Sequence, residues 1–296
     1  MPRVGQVESD RKRLRILRAC GLILVLVFAK PLLDFLRFAL AQDRNSYLLL
    51  VPAIASYLVW IRRQEFRSPL RSSLAPAIAF AIIGAVGLIC AARSGTPGDR
   101  LSIEIFSFLC FWTSACFACL GASFVREIAF PLWFLIFSIP MPAAFASAIE
   151  IGLQHASAEA AYWMLTIAQA PMLRQGLEFL LPGITIRVAQ ECSGYNSSCA
   201  LFLVSLVAGH MFLKSPWKRT WLALAVLPLA ILRNGFRITT IALLCVHVGP
   251  HMIDSPIHHR GGPIFFALSL IPFFALLWLL RRLEQSSPRP ISAAQK

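Results

Sequence analysis

Three groups of side chains in this sequence combine chemical reactivity with an apolar setting. They are Cys192, the pair Arg233 and Arg237, and His258 with its neighbour His259. A cysteine thiolate is a strong nucleophile, and a nearby cation lowers the pH at which it forms. An imidazole exchanges protons near neutral pH. A guanidinium in a water-poor site stabilises an oxyanion as it develops. Cys, Arg and His are therefore the parts of a nucleophilic acyl transfer, provided the fold brings them together. Cys192 opens the run Cys192-Ser193-Gly194 at the edge of an apolar segment, where a helix start would add its positive dipole end. Arg233, Asn234 and Arg237 lie together in an otherwise apolar stretch, with the two arginines on one helical face at i, i+4.

Each residue has a blander reading when taken alone. A cysteine at a helix start is commonly inert, an arginine near a span end snorkels to the headgroups, and a loop histidine is commonly solvated. Requiring all three together weakens those readings, and charges inside a membrane are functional by default. A metal site is the sharpest competitor. His247 and His251 have i, i+4 spacing, which can put two ligands on one helical face. Gly249-Pro250 between them breaks that helix, and Asp254 is the carboxylate nearby. No metal or other cofactor is expected. Cys116 and Cys119 form a Cys-x-x-Cys, but Trp112 and Phe117 put the pair in a packed or lipid-facing helix. Cys192 and Cys199, about 10.5 Å apart along one helix, are too distant for a disulfide.

The elements that must position these groups follow from composition. Of 296 residues, 57% are hydrophobic and 14% charged, the mean hydropathy is +0.68, and the formal net charge is +14. These values exclude a soluble globular enzyme and a disordered chain. They also exclude a nucleic-acid-binding domain, because long apolar runs separate the basic clusters. The expected fold is an all-α polytopic membrane protein of about eight transmembrane helices. Runs long enough to span lie at 16–38, 46–61, 74–92, 102–121, 128–148, 194–213, 219–246 and 262–280. Lys30, Pro31, Asp34 and Arg37 interrupt the first, and the second is short. No cleavable leader is evident. With both termini cytoplasmic, 18 of the 28 basic residues fall on the inner side, among them Arg11-Lys12-Arg13, Arg62-Arg63, Lys218-Arg219 and Arg281-Arg282. The basic excess is thus mainly a topology signal, with attraction to anionic headgroups of the lipid bilayer as a by-product. The expected organisation is a basic N-terminus over 1–15, one transmembrane domain over 16–280 with its active-site part at 177–266, and a cytoplasmic tail over 281–296.

Helix rise then compares depths. Cys192 precedes the inner anchor Lys214 by about 33 Å, Arg237 follows Arg219 by about 27 Å, and His258 precedes Arg281 by at most about 35 Å. The hydrocarbon core is ~30 Å thick, so all three groups fall near its outer surface. Residues 149–193 lie outside by the same reckoning. The alanine-rich stretch 156–170 reads as a helix against the membrane or between spans. Residues 177–188 read as a β-hairpin with Pro182-Gly183 as its turn. The hairpin delivers the chain to Cys192.

In their order and spacing these residues resemble the exosortase/archaeosortase family of polytopic membrane cysteine transpeptidases. The resemblance runs from about Ser46 to Leu280. Ser46-Tyr47, Val51-Pro52 and Val59-Trp60-Ile61-Arg62-Arg63 look like the family's second span. Phe130-Pro131-Leu132-Trp133-Phe134-Leu135 through Ile139-Pro140-Met141-Pro142 resembles its Pro-rich central span. Cys192-Ser193-Gly194 resembles the nucleophile motif, and Asn234-Gly235-Phe236-Arg237 the Asn-x-x-Arg. His258 with Gly262 and Phe265-Phe266 resembles the lead-in to the last span. The resemblance implies Cys192 as nucleophile, Arg237 as orienting or transition-state cation and His258 as acid/base. Ser193, Gly194, Arg233, Asn234 and His259 would support them. His259 adjoins His258, and the spacing to Gly262 favours His258 as the base. Arg260 stands near the place where archaeal relatives use Arg. Glu191 would raise the thiol pKa if it faced Cys192, and Asn196 and Ser197 are within a turn for oxyanion donation. Arg233 would support Arg237 or a bound substrate carboxylate.

The resemblance further implies partners and place. Family members act on exported proteins whose C-terminal sorting signal has a short motif, often Pro-Glu-Pro (the PEP-CTERM type), then a membrane helix and a basic tail. Cleavage on the outer face of the bacterial cytoplasmic (inner) membrane is followed by transfer to an acceptor amine, often alongside exopolysaccharide production. Two other classes compete. An export component for polysaccharide or lipid-linked sugar would need Arg233 and Arg237 but not Cys192. A membrane acyltransferase or metal-dependent hydrolase would depend on His247 or His251.

Overall fold

In the computed structural model, which describes residues 4–41, 45–66, 68–189, 193–255 and 261–285, helices follow one another until a small sheet interrupts them. The chain divides into two units, Met1–Ala146 and Ser147–Lys296.

The first unit contains α1 (Val4–Val27), α2 (Ala29–Ala41), α3 (Tyr47–Arg62), α4 (Leu74–Arg93), α5 (Pro97–Cys119), α6 (Gly121–Glu127) and α7 (Ala129–Phe134), followed by a 3-10 turn over Leu135–Ser138. Small residues let α4 approach α5: a side chain at Gly84 would meet the Phe111 ring at 3.1 Å, and one at Gly87 would collide with the Ser107 hydroxyl. The opposite face of α4 exposes Ile78, Ile82, Val86 and Ile89. Such a face is stable in lipid and costly in water. Cys116 and Cys119 are buried in a cluster with Leu120, Val125 and Ile128, so the Cys-x-x-Cys packs as small apolar residues.

Proline explains where helices break. A proline at position i lacks the N–H that would bond the carbonyl of i−4, and its ring clashes there. Pro31, Pro131 and Pro228 each lie four residues after the last residue of a helix: Val27 of α1, Glu127 of α6 and Leu224 of α10 (Pro216–Leu224). The α1–α2 pair bends by 71° and the α6–α7 pair by 76°. Phe28 at the first bend is 3% exposed and sets its ring against Phe108 and Phe111. Glu127, at the second, accepts from the Ser68 backbone N–H (3.1 Å) and hydroxyl (2.6 Å).

Helix α8 (Ala143–Ile167) crosses the division between units. The second unit continues with β1 (Leu173–Gln175), β2 (Glu178–Leu181) and β3 (Ile184–Arg187), then α9 (Tyr195–Phe212), α10, α11 (Val226–His247), a 3-10 turn over Pro250–Asp254, and α12 (Gly262–Gln285). The strands form an antiparallel sheet in the order β1-β2-β3, with Phe179 opposite Ile186 and Leu181 opposite Ile184 across the Pro182-Gly183 turn. Two apolar cores are strung along α11. Toward its C-terminal end, Ile238, Ile241, Ala242 and Cys245 pack with Phe179, Ile186 and Val188 of the sheet and Ala158, Ala161 and Leu165 of α8. Toward its start, Val226 and, from α10, Leu222 pack with Leu201 and Ala208 of α9 and Phe273 and Leu277 of α12. At that same end the Glu284 carboxylate of α12 accepts two backbone N–H groups from the link after α9, Lys214 at 2.9 Å and Ser215 at 2.6 Å.

Five helices among the described residues are long and apolar enough to cross a membrane, or up to seven if each bent pair is one span. The chain is therefore a multi-pass membrane protein, mostly helical with one small sheet. The expected spans at 74–92, 102–121, 194–213, 219–246 and 262–280 correspond to these five. The expected spans 16–38 and 128–148 are bent pairs or partial pairs, and α8 begins within the second of them. Helix α3, at 16 residues, is shorter than a bilayer crossing needs. The expected hairpin is present with a third strand, β1, added on its outer side. The alanine-rich helix starts thirteen residues before the expected 156, at Ala143.

Candidate active site

Arg233, Asn234 and Arg237 sit on α11 between its two apolar cores, opposite the turn that starts α9. Gly194 makes that turn. It is left-handed (φ +74°, ψ 12°) and stands at the N-cap of α9. Glycine adopts this conformation without the steric cost that a Cβ brings. Space there is tight as well, because a Cβ would lie 3.0 Å from Arg233 Nη2 and 3.1 Å from Asn234 Cγ. Gly194 O gathers four donors: the Ser198 N–H at 3.0 Å, the Ser198 hydroxyl at 2.7 Å, the Ser197 hydroxyl at 3.1 Å and Arg233 Nη2 at 3.2 Å. Ser193 is buried, and its Oγ accepts from the Tyr195 N–H at 3.3 Å.

The segment before the turn is held as firmly. Val188 N–H donates to Leu177 O at 3.0 Å, extending the hairpin ladder by one residue. The Val188 carbonyl accepts a short hydrogen bond from the buried Gln154 side chain of α8. Beside it, β3 and α11 enclose a cavity of about 50 Å³. Ile186, Val188, Ile238, Ile241 and Ile253 supply apolar walls, and Asn234, Arg237 and Arg187 supply polar ones. On the outer side of the sheet, Arg174 Nη1 pairs with Glu159 at 2.6 Å, and its guanidinium lies over the Tyr162 and Phe179 rings. The hydrogen bond from Arg174 holds the Glu159 carboxyl below the usual carboxylate range. The pair fastens β1 to α8.

Of the residues expected in the site, Ser193, Gly194, Arg233 and Asn234 are brought together, with Arg237 one turn further along α11 in the cavity wall. Cys192, His258 and His259 lie outside the described residues, as do Glu191 and Arg260. Ser197, expected within reach of an oxyanion, donates instead to Gly194 O. His247 ends α11 and His251 lies in the next turn beyond Gly249 (φ +144°), so the two do not share a helical face. Among the described residues no three His, Cys, Asp or Glu side chains are grouped as a metal would require. Gln154 and Ser198 were not foreseen. Ser198 was legible in principle, since a hydroxyl four residues into a helix returns to the carbonyl at i−4. Gln154 gave no local signal, because its partner is 34 residues away.

A model of the transmembrane exosortase family matches residues 36–275, more than half of the chain, including both halves of this site. No curated protein and no solved structure matches the chain.

Proposed function

This chain belongs to the transmembrane exosortase family, and from that premise we propose that it is a cysteine transpeptidase. It cleaves the C-terminal sorting signal of exported proteins at the outer face of the cytoplasmic membrane. Family membership supports a membrane sorting transpeptidase in general. The observation that carries the finer reading is the clamp on Gly194, two residues after Cys192. The turn leaving the thiol is tied to α11, and α11 presents Arg237 to a cavity whose other wall is the strand leading to the thiol.

The chemistry follows from the residue types. The Cys192 thiolate attacks the scissile carbonyl, and its electron pair forms the S–C bond while the carbonyl oxygen becomes an oxyanion. Arg237 offers N–H groups and charge to that oxygen. Collapse of the intermediate breaks the C–N bond, and the leaving amine takes a proton from His258. The exported protein is left as a thioester on Cys192. An acceptor amine, losing its proton to His258, then displaces the thiolate and forms the new amide. Water in place of the amine gives hydrolysis. Both termini are cytoplasmic in this reading, and a Pro-Glu-Pro-type motif reaches the site from a substrate helix in the bilayer.

The test is Cys192→Ala in cells that co-express a reporter ending in such a signal. The variant should accumulate in the membrane at the wild-type level and leave the reporter full length. Continued processing by the variant overturns the proposal.

A further inference from the structure

One buried cation beside the Gly194 turn has no counter-charge among the described residues. Arg233 is 8% exposed. Its Nη2 is spent on Gly194 O, whereas its Nη1 is buried with no hydrogen-bond partner among the described residues. None of the ion pairs found among those residues includes Arg233. The charge one turn further along α11 is Arg237, which repels it. Burying a charge costs several kcal/mol unless it is paired, and one bond to a neutral carbonyl offsets little of that. A guanidinium is a planar fork whose edges match the two oxygens of a carboxylate. Here the bond to Gly194 O fixes the fork and leaves Nη1 buried with no partner among the described residues.

We infer that Arg233 binds a substrate carboxylate, the side chain of an Asp or Glu flanking the bond that Cys192 cleaves. This rests on the transpeptidase reading. A peptide carboxylate fits better than a lipid phosphate because Arg233 is anchored on the turn that follows the nucleophile, where a bound peptide must pass. A headgroup phosphate stays at the membrane surface. Arg233 thereby acts as a specificity residue separate from Arg237, reading an acidic position while Arg237 serves the reacting carbonyl.

The test is a charge exchange between enzyme and substrate, read as the rate of reporter processing in cells. The reporters carry Glu, Gln or Lys beside the cleaved bond, ahead of the same apolar helix and basic tail. Wild-type enzyme should lose about tenfold to a hundredfold on the Gln reporter, the range of a charge-assisted hydrogen bond. Arg233→Gln should process the Glu and Gln reporters equally slowly, and Arg233→Glu should prefer the Lys reporter. Arg233→Lys, which keeps the charge, should still favour Glu over Gln and so separates recognition from folding. Equal loss on all reporters in every Arg233 variant overturns the inference in favour of a purely structural tie. So does a wild-type enzyme that shows no Glu-over-Gln preference while Glu191→Gln gains one with Arg233 intact, since the partner of Arg233 is then internal. If Cys192→Ala still processes the Glu reporter, the transpeptidase reading itself has failed. If it does not and the Arg233 variants treat all reporters alike, only this inference has.

Discussion

At the residue scale, Gly194 is tightly constrained among the described residues of the site. Placing a Cβ on a left-handed residue costs roughly 1–2 kcal/mol, and here that Cβ would also press on Arg233 and Asn234. Gly194→Ala should therefore reduce processing by about tenfold or more, by the same energy scale, while the chain still inserts. Quantitative blotting of membranes for both enzyme and cleaved reporter would check it, and wild-type rates would refute the constraint. The sequence announced this residue through its place after Cys192-Ser193 and before a helix. It did not announce that Arg233, singled out as a charge in an apolar stretch, would spend one nitrogen on Gly194 O. That bond joins residues 39 apart, and no periodicity encodes such a pairing. Ser197 shows the same limit, since a hydroxyl near a helix start has several possible acceptors and only the packed turn chooses one.

At the element scale, the sheet matters because it delivers the chain to Cys192, and α8 holds the sheet. Gln154→Leu removes the donor to the Val188 carbonyl and leaves a buried acceptor unmet, at a cost of about 1–3 kcal/mol. The expected result is faster proteolytic cutting between residues 168 and 189 of the detergent-solubilised protein, together with slower reporter processing. An unchanged cutting rate would show that the ladder from β2 suffices without α8. The hairpin was legible because Pro182-Gly183 and the Ile/Thr/Val alternation are local signals. Strand β1 was not, because Leu173–Gln175 is three residues long and acquires its extended form from β2. Helix breaks lie between these cases. Each proline was visible, and the lost bond falls four residues earlier, so Val27, Glu127 and Leu224 are the ends that the prolines dictate. Reading 16–38 and 128–148 as continuous spans overlooked that offset.

At the scale of the whole molecule, the distribution of basic residues implies a sidedness that labelling tests. Thr185→Cys, on the exposed edge of β3, should react with a membrane-impermeant maleimide in cells whose outer barrier is opened. Ser9→Cys, in α1, should react only after the inner membrane is permeabilised. The reverse pattern would invert the topology and put the site on the cytoplasmic side. Within the second unit, the Glu284 tie has a mechanical consequence. Helices α9 and α12 follow Cys192 and His258 in the chain, and their far ends are pinned together by Glu284 and by the core around Phe273. The two helices thus share one fixed end, and a tilt about it is amplified along their length. Over an arm of 18 residues, about 27 Å by helix rise, a rotation of about 2° at that end moves the other by ~1 Å. The start of α9 is held separately, by the Arg233 bond to Gly194 O, so a tilt of α9 about its far end loads that bond first.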